Sequence, residues 1–125
     1  MTAKTVFERR RLRGLYAITP ETADAGELVA LVRAALDGGA RLVQYRSKHA
    51  AAGARARQAE ALLLLCRDRG VPLIVNDDIE LAIAVSADGL HLGRGDGDPR
   101  EARSRLPDAI LGVSCYDDPA RAVAA

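Results

Sequence analysis

Short apolar runs alternate with helical patterns five times over, at roughly 25-residue spacing, and this predicts an α/β fold built on a parallel sheet. Three observations carry that expectation. The apolar runs are five to seven residues long and are bounded by Gly, Pro or charged residues, as buried strands are. The segments between them place apolar residues at helical spacing. Each helix is long enough to return the chain to the same end of the next strand, and only parallel strands need such a crossover.

The first strand is "GLYAIT", Gly14 to Thr19, closed by Pro20. A helix follows over "DAGELVALVRAALDGG", with Leu28, Leu31, Val32 and Ala35 on one stripe. Asp24 and Glu27 stand at capping-box separation, and Gly38 with Gly39 provides the stop. "ARLVQYR", Ala40 to Arg46, is the second strand. The spacing predicts a second helix from about Ala54 to Arg69, burying Ala59, Leu62, Leu63 and Cys66, with Gly70 and Pro72 ending it. "PLIVN" is the third strand, and the segment from Asp78 to Val85 a short helix. Strand four is "DGLHLG", Asp88 to Gly93, and Gly95 to Pro99 form a loop. "EARSRL" is a weak helix, "AILGVSC" from Ala109 to Cys115 is strand five, and "DDPARAVAA" opens a fifth helix.

Composition bounds the function. The 125 residues suit one domain of ordinary size. With 18 basic and 17 acidic residues the formal charge is +1, so no overall field draws nucleic acid or an anionic membrane. Aromatic residues make up 3%, too few for base-stacking platforms. Cys66 and Cys115 form no CxxC pair and follow no secretory segment, which favours reduced, buried thiols and a cytoplasmic location. The opening "MTAKTVFERRRLRG" is basic without an apolar continuation, so residues 1–13 are expected to form a poorly ordered tail. No apolar run reaches the roughly 18 residues of a spanning helix.

A parallel α/β chain can form a doubly wound open sheet or a barrel. The open sheet would carry a Gly-rich phosphate turn after the first strand, and "AITPETADAG" has none. The (β/α)8 TIM-barrel family spreads its chemistry over the C-terminal ends of several strands instead. About five βα units are present, an incomplete barrel. Polar residues do gather at those ends. Gln44 and Arg46 share a strand face opposite Val43 and Tyr45, and Lys48 follows. Strand three ends in Asn76, Asp77 and Asp78. One carboxylate suffices as a helix cap, since Asp77 with Glu80 has capping-box spacing and Asp78 is a plausible N-cap. The other carboxylate is surplus. Asp96 follows strand four, Ser114 ends strand five, and His91 reads equally well as a core or a site histidine.

Carboxylates from two loops suit a hard cation such as Mg²⁺, which leaves most positions to water and phosphate oxygens. Arg and Lys add the fixed positive charge that a polyphosphate requires. No His or Cys cluster has zinc spacing, and no Ser-His-Asp order stands out. The chemistry suggested is metal-assisted departure or transfer of a diphosphate.

The stretches "GLYAIT", "GGARLVQYRSK", "VPLIVNDDIELA", "ADGLHLGRGD" and "LGVSC" resemble thiamine phosphate synthase in order and spacing, from about Gly14 to the last residue. The resemblance implies a transferase that joins hydroxymethylpyrimidine diphosphate to thiazole phosphate, giving thiamine phosphate and diphosphate. It implies substrate contacts from Gln44, Arg46, Lys48, Asn76 and Ser114, catalytic roles for Arg46, Lys48 and Ser114, and Mg²⁺ ligands in Asp77 and Asp96. Residues 14–125 would be the N-terminal part of the synthase barrel. Strands six to eight, with a Thr- and Lys-bearing loop and a Gly-rich phosphate site, have no counterpart in the sequence. A C-terminally shortened, inactive member with self-associating sheet edges is therefore expected. A thiazole tautomerase-like relative and a non-catalytic remnant binding at most diphosphate and Mg²⁺ are the alternatives. A tautomerase has no diphosphate to hold, which the cationic set argues against.

Overall fold

The structure, a computed structural model, describes residues 12–22 and 24–125. The tail expected over residues 1–13 thus lies almost entirely outside the described residues. Five parallel strands alternate with five helices: β1 Tyr16–Ile18, α1 Ala25–Asp37, β2 Leu42–Tyr45, α2 Ala52–Asp68, β3 Leu73–Asn76, α3 Ile79–Val85, β4 Gly89–Leu92, α4 Pro99–Arg105, β5 Ile110–Val113 and α5 Pro119–Ala124. The sheet order is β1-β2-β3-β4-β5, so each strand pairs with its sequence neighbour. That unbroken order is the arc of a barrel wall.

Helix boundaries follow their caps. Asp24 Oδ1 accepts from the amides of Gly26 at 2.8 Å and Glu27 at 3.2 Å. The return half of the expected capping box is absent, because Glu27 Oε2 accepts from Thr22 Oγ1 instead. Gly39 takes φ +100°, a left-handed conformation that ends α1 at little steric cost to glycine. On α1 the buried stripe is Leu28, Val32 and Leu36, whereas Leu31 is exposed. The apolar spacing allowed two neighbouring stripes, and packing against the sheet chose the one containing Leu36. α2 begins at Ala52, two residues before the expected start, and α4 begins at Pro99, whose fixed φ suits a first turn.

One face of the sheet meets the helices. Val43, Tyr45, Leu73, Val75, Leu90 and Leu92 pack with Leu28, Val32, Leu62, Leu63 and Cys66 into a single core. Side chains alternate along a strand, so Tyr16, Gln44, Ile74, Asn76, His91 and Gly112 occupy the opposite, inner face. Burial of the Cys66 thiol in the core pushes its pKa up to about 12, which makes it inert. Cys115, expected to be buried, is only half-buried. At the N-terminal end of β4 the buried Asp88 carboxylate accepts from the Leu73 amide at 2.9 Å, tying β3 to β4.

Inner-face packing needs glycine at two positions. A Cβ on Gly89 would lie 2.4 Å from the Ile110 carbonyl oxygen and 2.5 Å from Ile74 Cδ1. A Cβ on Gly112 would lie 2.5 Å from His91 Nδ1. Gly89→Ala should therefore lower stability by roughly 1 to 3 kcal/mol, because the opposing backbone oxygen cannot swing aside. Leu31→Ala should change it by less than about 1 kcal/mol. Urea unfolding of the two variants checks the contrast.

Candidate functional site

The C-terminal strand ends form one mouth. Gln44 is 3% exposed on the inner face of β2, and its Nε2 donates to the Tyr16 hydroxyl at 3.0 Å. The polar partner that a buried glutamine demands is thus the neighbouring strand's tyrosine. Burial raises the pKa of that tyrosine, against the opposing hydrogen bond from Gln44. The Arg46 amide donates to Thr19 Oγ1 at 2.9 Å, while the Thr19 amide donates to the Gln44 carbonyl at 2.9 Å. Arg46 itself is exposed, and no carboxylate among the described residues pairs with its guanidinium.

Glu21 clasps the segment after β2. One carboxylate oxygen accepts from Ser47 Oγ at 2.7 Å and the other from the Lys48 amide at 2.6 Å. These bonds, Ser47 first, hold the Glu21 carboxyl below the usual range. Lys48 Nζ in turn forms a salt bridge with Asp77 Oδ2. Asp77 takes φ +59°, and its amide donates to the His91 carbonyl at 2.8 Å, which joins this pair to the end of β4.

The two adjacent carboxylates divide their roles. Asp78 is the N-cap of α3, accepting from the Leu81 amide at 3.0 Å, and it pairs with Arg55 at 3.1 Å. Glu80 is drawn to Arg105 at 2.7 Å, and that bond lowers its pKa. No capping box from Asp77 forms, so Asp77 is the surplus carboxylate. Asp96 folds back on its own loop: its Oδ2 accepts from the Gly93 amide at 2.7 Å and its amide donates to the Gly93 carbonyl at 3.2 Å. Asn76 is half-buried on the inner face, paired in register with His91. His91 points inward, and its Nε2 lies 2.8 Å from Ser114 Oγ. Burial lowers the His91 pKa, with the Asp96 carboxylate opposing.

Among the described residues no group of three or more His, Cys, Asp or Glu side chains gathers into a metal cage. Asp77 is engaged by Lys48 and Asp96 by the Gly93 amide, so each of the two carboxylates expected to bind Mg²⁺ has a partner within the protein. A broad cleft of about 1110 Å³ lies elsewhere, along β5, α4 and the end of α5. None of the strand-end residues discussed above lines it.

Tyr16, Thr19 and Glu21 were not singled out in the sequence. Period two along "GLYAIT" gives the face that Tyr16 occupies, but the register that brings it to Gln44 exists only in the paired sheet. Glu21 lies in a loop with no periodic signal, so only the tertiary structure brings it to Ser47 and Lys48.

A parallel wall of βα units with cations and carboxylates at its C-terminal strand ends has the architecture of a (β/α) barrel protein, whose chemistry sits at those ends. Residues 15–125 match the family model described as thiamine monophosphate synthase, and the chain belongs to that family. It is 57% identical over 108 residues to the thiamine-phosphate synthase of Chromobacterium violaceum, covering 86% of this chain and 52% of that protein. With the thiamine-phosphate synthase of Aromatoleum aromaticum it shares 56% identity, covering 91% and 55%. Thiamine phosphate pyrophosphorylase from Pyrococcus furiosus superposes with a TM-score of 0.77 at 34% identity, over 87% of this chain and 53% of that one. The chain thus spans about half the length of these relatives. No helix among the described residues is long and apolar enough to cross a membrane.

The Glu21 clasp has a pH signature. Its folded pKa lies below the ordinary 4.5, so the clasp is complete above that value and is lost as pH falls through the lower folded value. Exchange protection of the Lys48 amide should fall across that acid window. In Glu21→Gln the acid-dependent step should be absent.

Proposed function

We propose that the chain carries the pyrimidine-diphosphate half of a thiamine phosphate synthase site, the half that precedes coupling to thiazole phosphate. The observation that supports this most directly is the Lys48 and Asp77 pair between the ends of β2 and β3, beside an Arg46 with no carboxylate partner among the described residues. A diphosphate with its cation replaces that internal pair naturally: Lys48 turns to a phosphate oxygen and Asp77 is freed for the metal. Arg46 adds a planar fork that grips phosphate oxygens. Gln44, its amide fixed by Tyr16, presents its remaining polar atoms to the aminopyrimidine edge, and Asn76 lies beside it.

Asp77 and Asp96 would hold Mg²⁺, which when bound neutralises charge on the departing diphosphate. The chain's own residues then orient and shield: Arg46 and Lys48 hold the leaving group, and Ser114 lies against the reacting centre. No general base is required, because a thiazole nitrogen attacks with its own lone pair. The activity is that of a transferase working in the cytoplasm, in keeping with the two free thiols.

Titration with hydroxymethylpyrimidine diphosphate and Mg²⁺ tests the reading. Asp77→Ala should weaken metal-dependent binding far more than Asp78→Ala, whose effect should be a loss of about 1 kcal/mol of stability through the helix cap. Equal losses of binding would remove the basis for assigning Asp77 to the metal.

The sheet edges supply a second expectation. Among the described residues β1 and β5 each pair on one side only, and Leu15 and Ile18 beside the first edge are 60% and 55% exposed. Unpaired edges with apolar neighbours recruit further strands. The chain should self-associate with concentration in sedimentation velocity. A sedimentation coefficient that stays monomeric across concentration would count against recruitment through these edges.

A further inference from the structure

His91 and Ser114 form a polar pair on the inner face that no cap, strand ladder or core contact requires. His91 stands in register with Asn76 on one side and Gly112 on the other. The ring occupies the space over Gly112, where a Cβ would come within 2.5 Å of Nδ1. From there Nε2 reaches Ser114, two residues beyond Gly112 and just past the end of β5, at 2.8 Å. A bare glycine therefore sets the reach of the imidazole. The Ser114 amide is also fixed, donating to the Leu92 carbonyl at 2.9 Å. Backbone and side chain of Ser114 are both anchored to β4, which leaves its hydroxyl proton as the remaining freedom.

We propose that His91 is a positioning residue: its Nε2–H donates to Ser114 Oγ, so that the Ser114 hydroxyl proton is left to donate to an oxygen of the bound diphosphate. The assignment rests on the function proposed above, because an anion needs a donor from Ser114. A hydroxyl whose proton was spent on the imidazole would present only lone pairs to the phosphate. In a neutral imidazole one nitrogen donates and the other accepts, so this orientation fixes the tautomer with the proton on Nε2. Ser114 is the side chain His91 touches, Asn76 stands opposite it in register, and the Asp96 carboxylate acts on it electrostatically.

Two measurements on the 125-residue chain test this. The chain has two histidines, His49 and His91, so side-chain nitrogen spectra contain two rings, and His49→Gln assigns them. The expected result is an Nε2-protonated His91 ring whose shifts move in Ser114→Ala. An Nδ1-protonated ring, or one indifferent to Ser114→Ala, would overturn the pairing.

The second measurement is affinity for inorganic diphosphate with Mg²⁺ in His91→Leu, His91→Gln, Ser114→Ala and the double variant His91→Leu with Ser114→Ala. His91→Leu and Ser114→Ala should each weaken binding about tenfold, the double variant no further, and His91→Gln, which keeps a donor near the Nε2 position, should restore most of it. Thermal melting of each variant separates loss of fold from loss of the hydroxyl's orientation. Additive losses, or His91→Leu binding as wild type does, would refute the positioning role. A folded wild type that binds no diphosphate would overturn the function proposed above, and with it the use assigned to the hydroxyl. The ring spectrum reads the pairing itself independently of that result.

Discussion

The parallel register is the constraint on which the mouth depends. Ile18, Gln44, Ile74, Gly89 and Ile110 fall in one row across the sheet, and Asn76, His91 and Gly112 in the next row toward the C-terminal ends. Because side chains alternate with period two, a slip of one residue in any pair would send these rows into the helix layer. Each row balances bulk against emptiness. Gly89 makes room for Ile74 and Ile110, and Gly112 makes room for His91. The polar groups at the mouth are therefore placed by close packing one layer below them as much as by their own bonds.

Anchoring then passes from strand to strand. Thr19 and Glu21, following β1, hold the end of β2 through the amides of Arg46 and Lys48. Lys48 reaches Asp77 after β3, and the Asp77 amide reaches the carbonyl of His91 in β4. His91 reaches Ser114 after β5. Every link joins adjacent strands, so displacement of one loop is resisted by its neighbours. The left-handed backbone of Asp77 lets one aspartate face the mouth while the next caps α3, and this answers why two carboxylates stand together where a plain turn would need one.

Much of this was legible in the sequence, for physical reasons. Strand order and helix order follow from apolar runs and stop signals, and all five βα units are where the alternation places them. The inward direction of Gln44 and His91 follows from period two. What could not be read is of two kinds. Choosing Leu36 over Leu31 on α1 depends on which stripe the sheet covers, and local spacing satisfied both. The roles of Tyr16, Thr19 and Glu21 arise from bonds across 26 to 28 residues of chain, and no local pattern encodes such a partner. Local spacing leaves Asp77 and Asp78 equivalent as caps, and the Glu80–Arg105 ion pair removes the capping-box alternative.

Stability and recognition are carried by opposite faces of one sheet. The helix-facing side holds the apolar core, with Val43, Leu73, Val75 and Leu90 fully buried, while the inner face holds the polar set. Burial of apolar area supplies most of the folding free energy, so the core can stabilise the wall without help from the mouth. The mouth is then free to retain groups that are poor for stability, such as an Arg46 guanidinium with no carboxylate partner among the described residues and a lysine paired with Asp77. The two faces still meet at the inner-face glycines. There a small residue serves packing below and polar geometry above, so a substitution at Gly112 would be read first at the His91 and Ser114 pair, before the helix-facing core was disturbed.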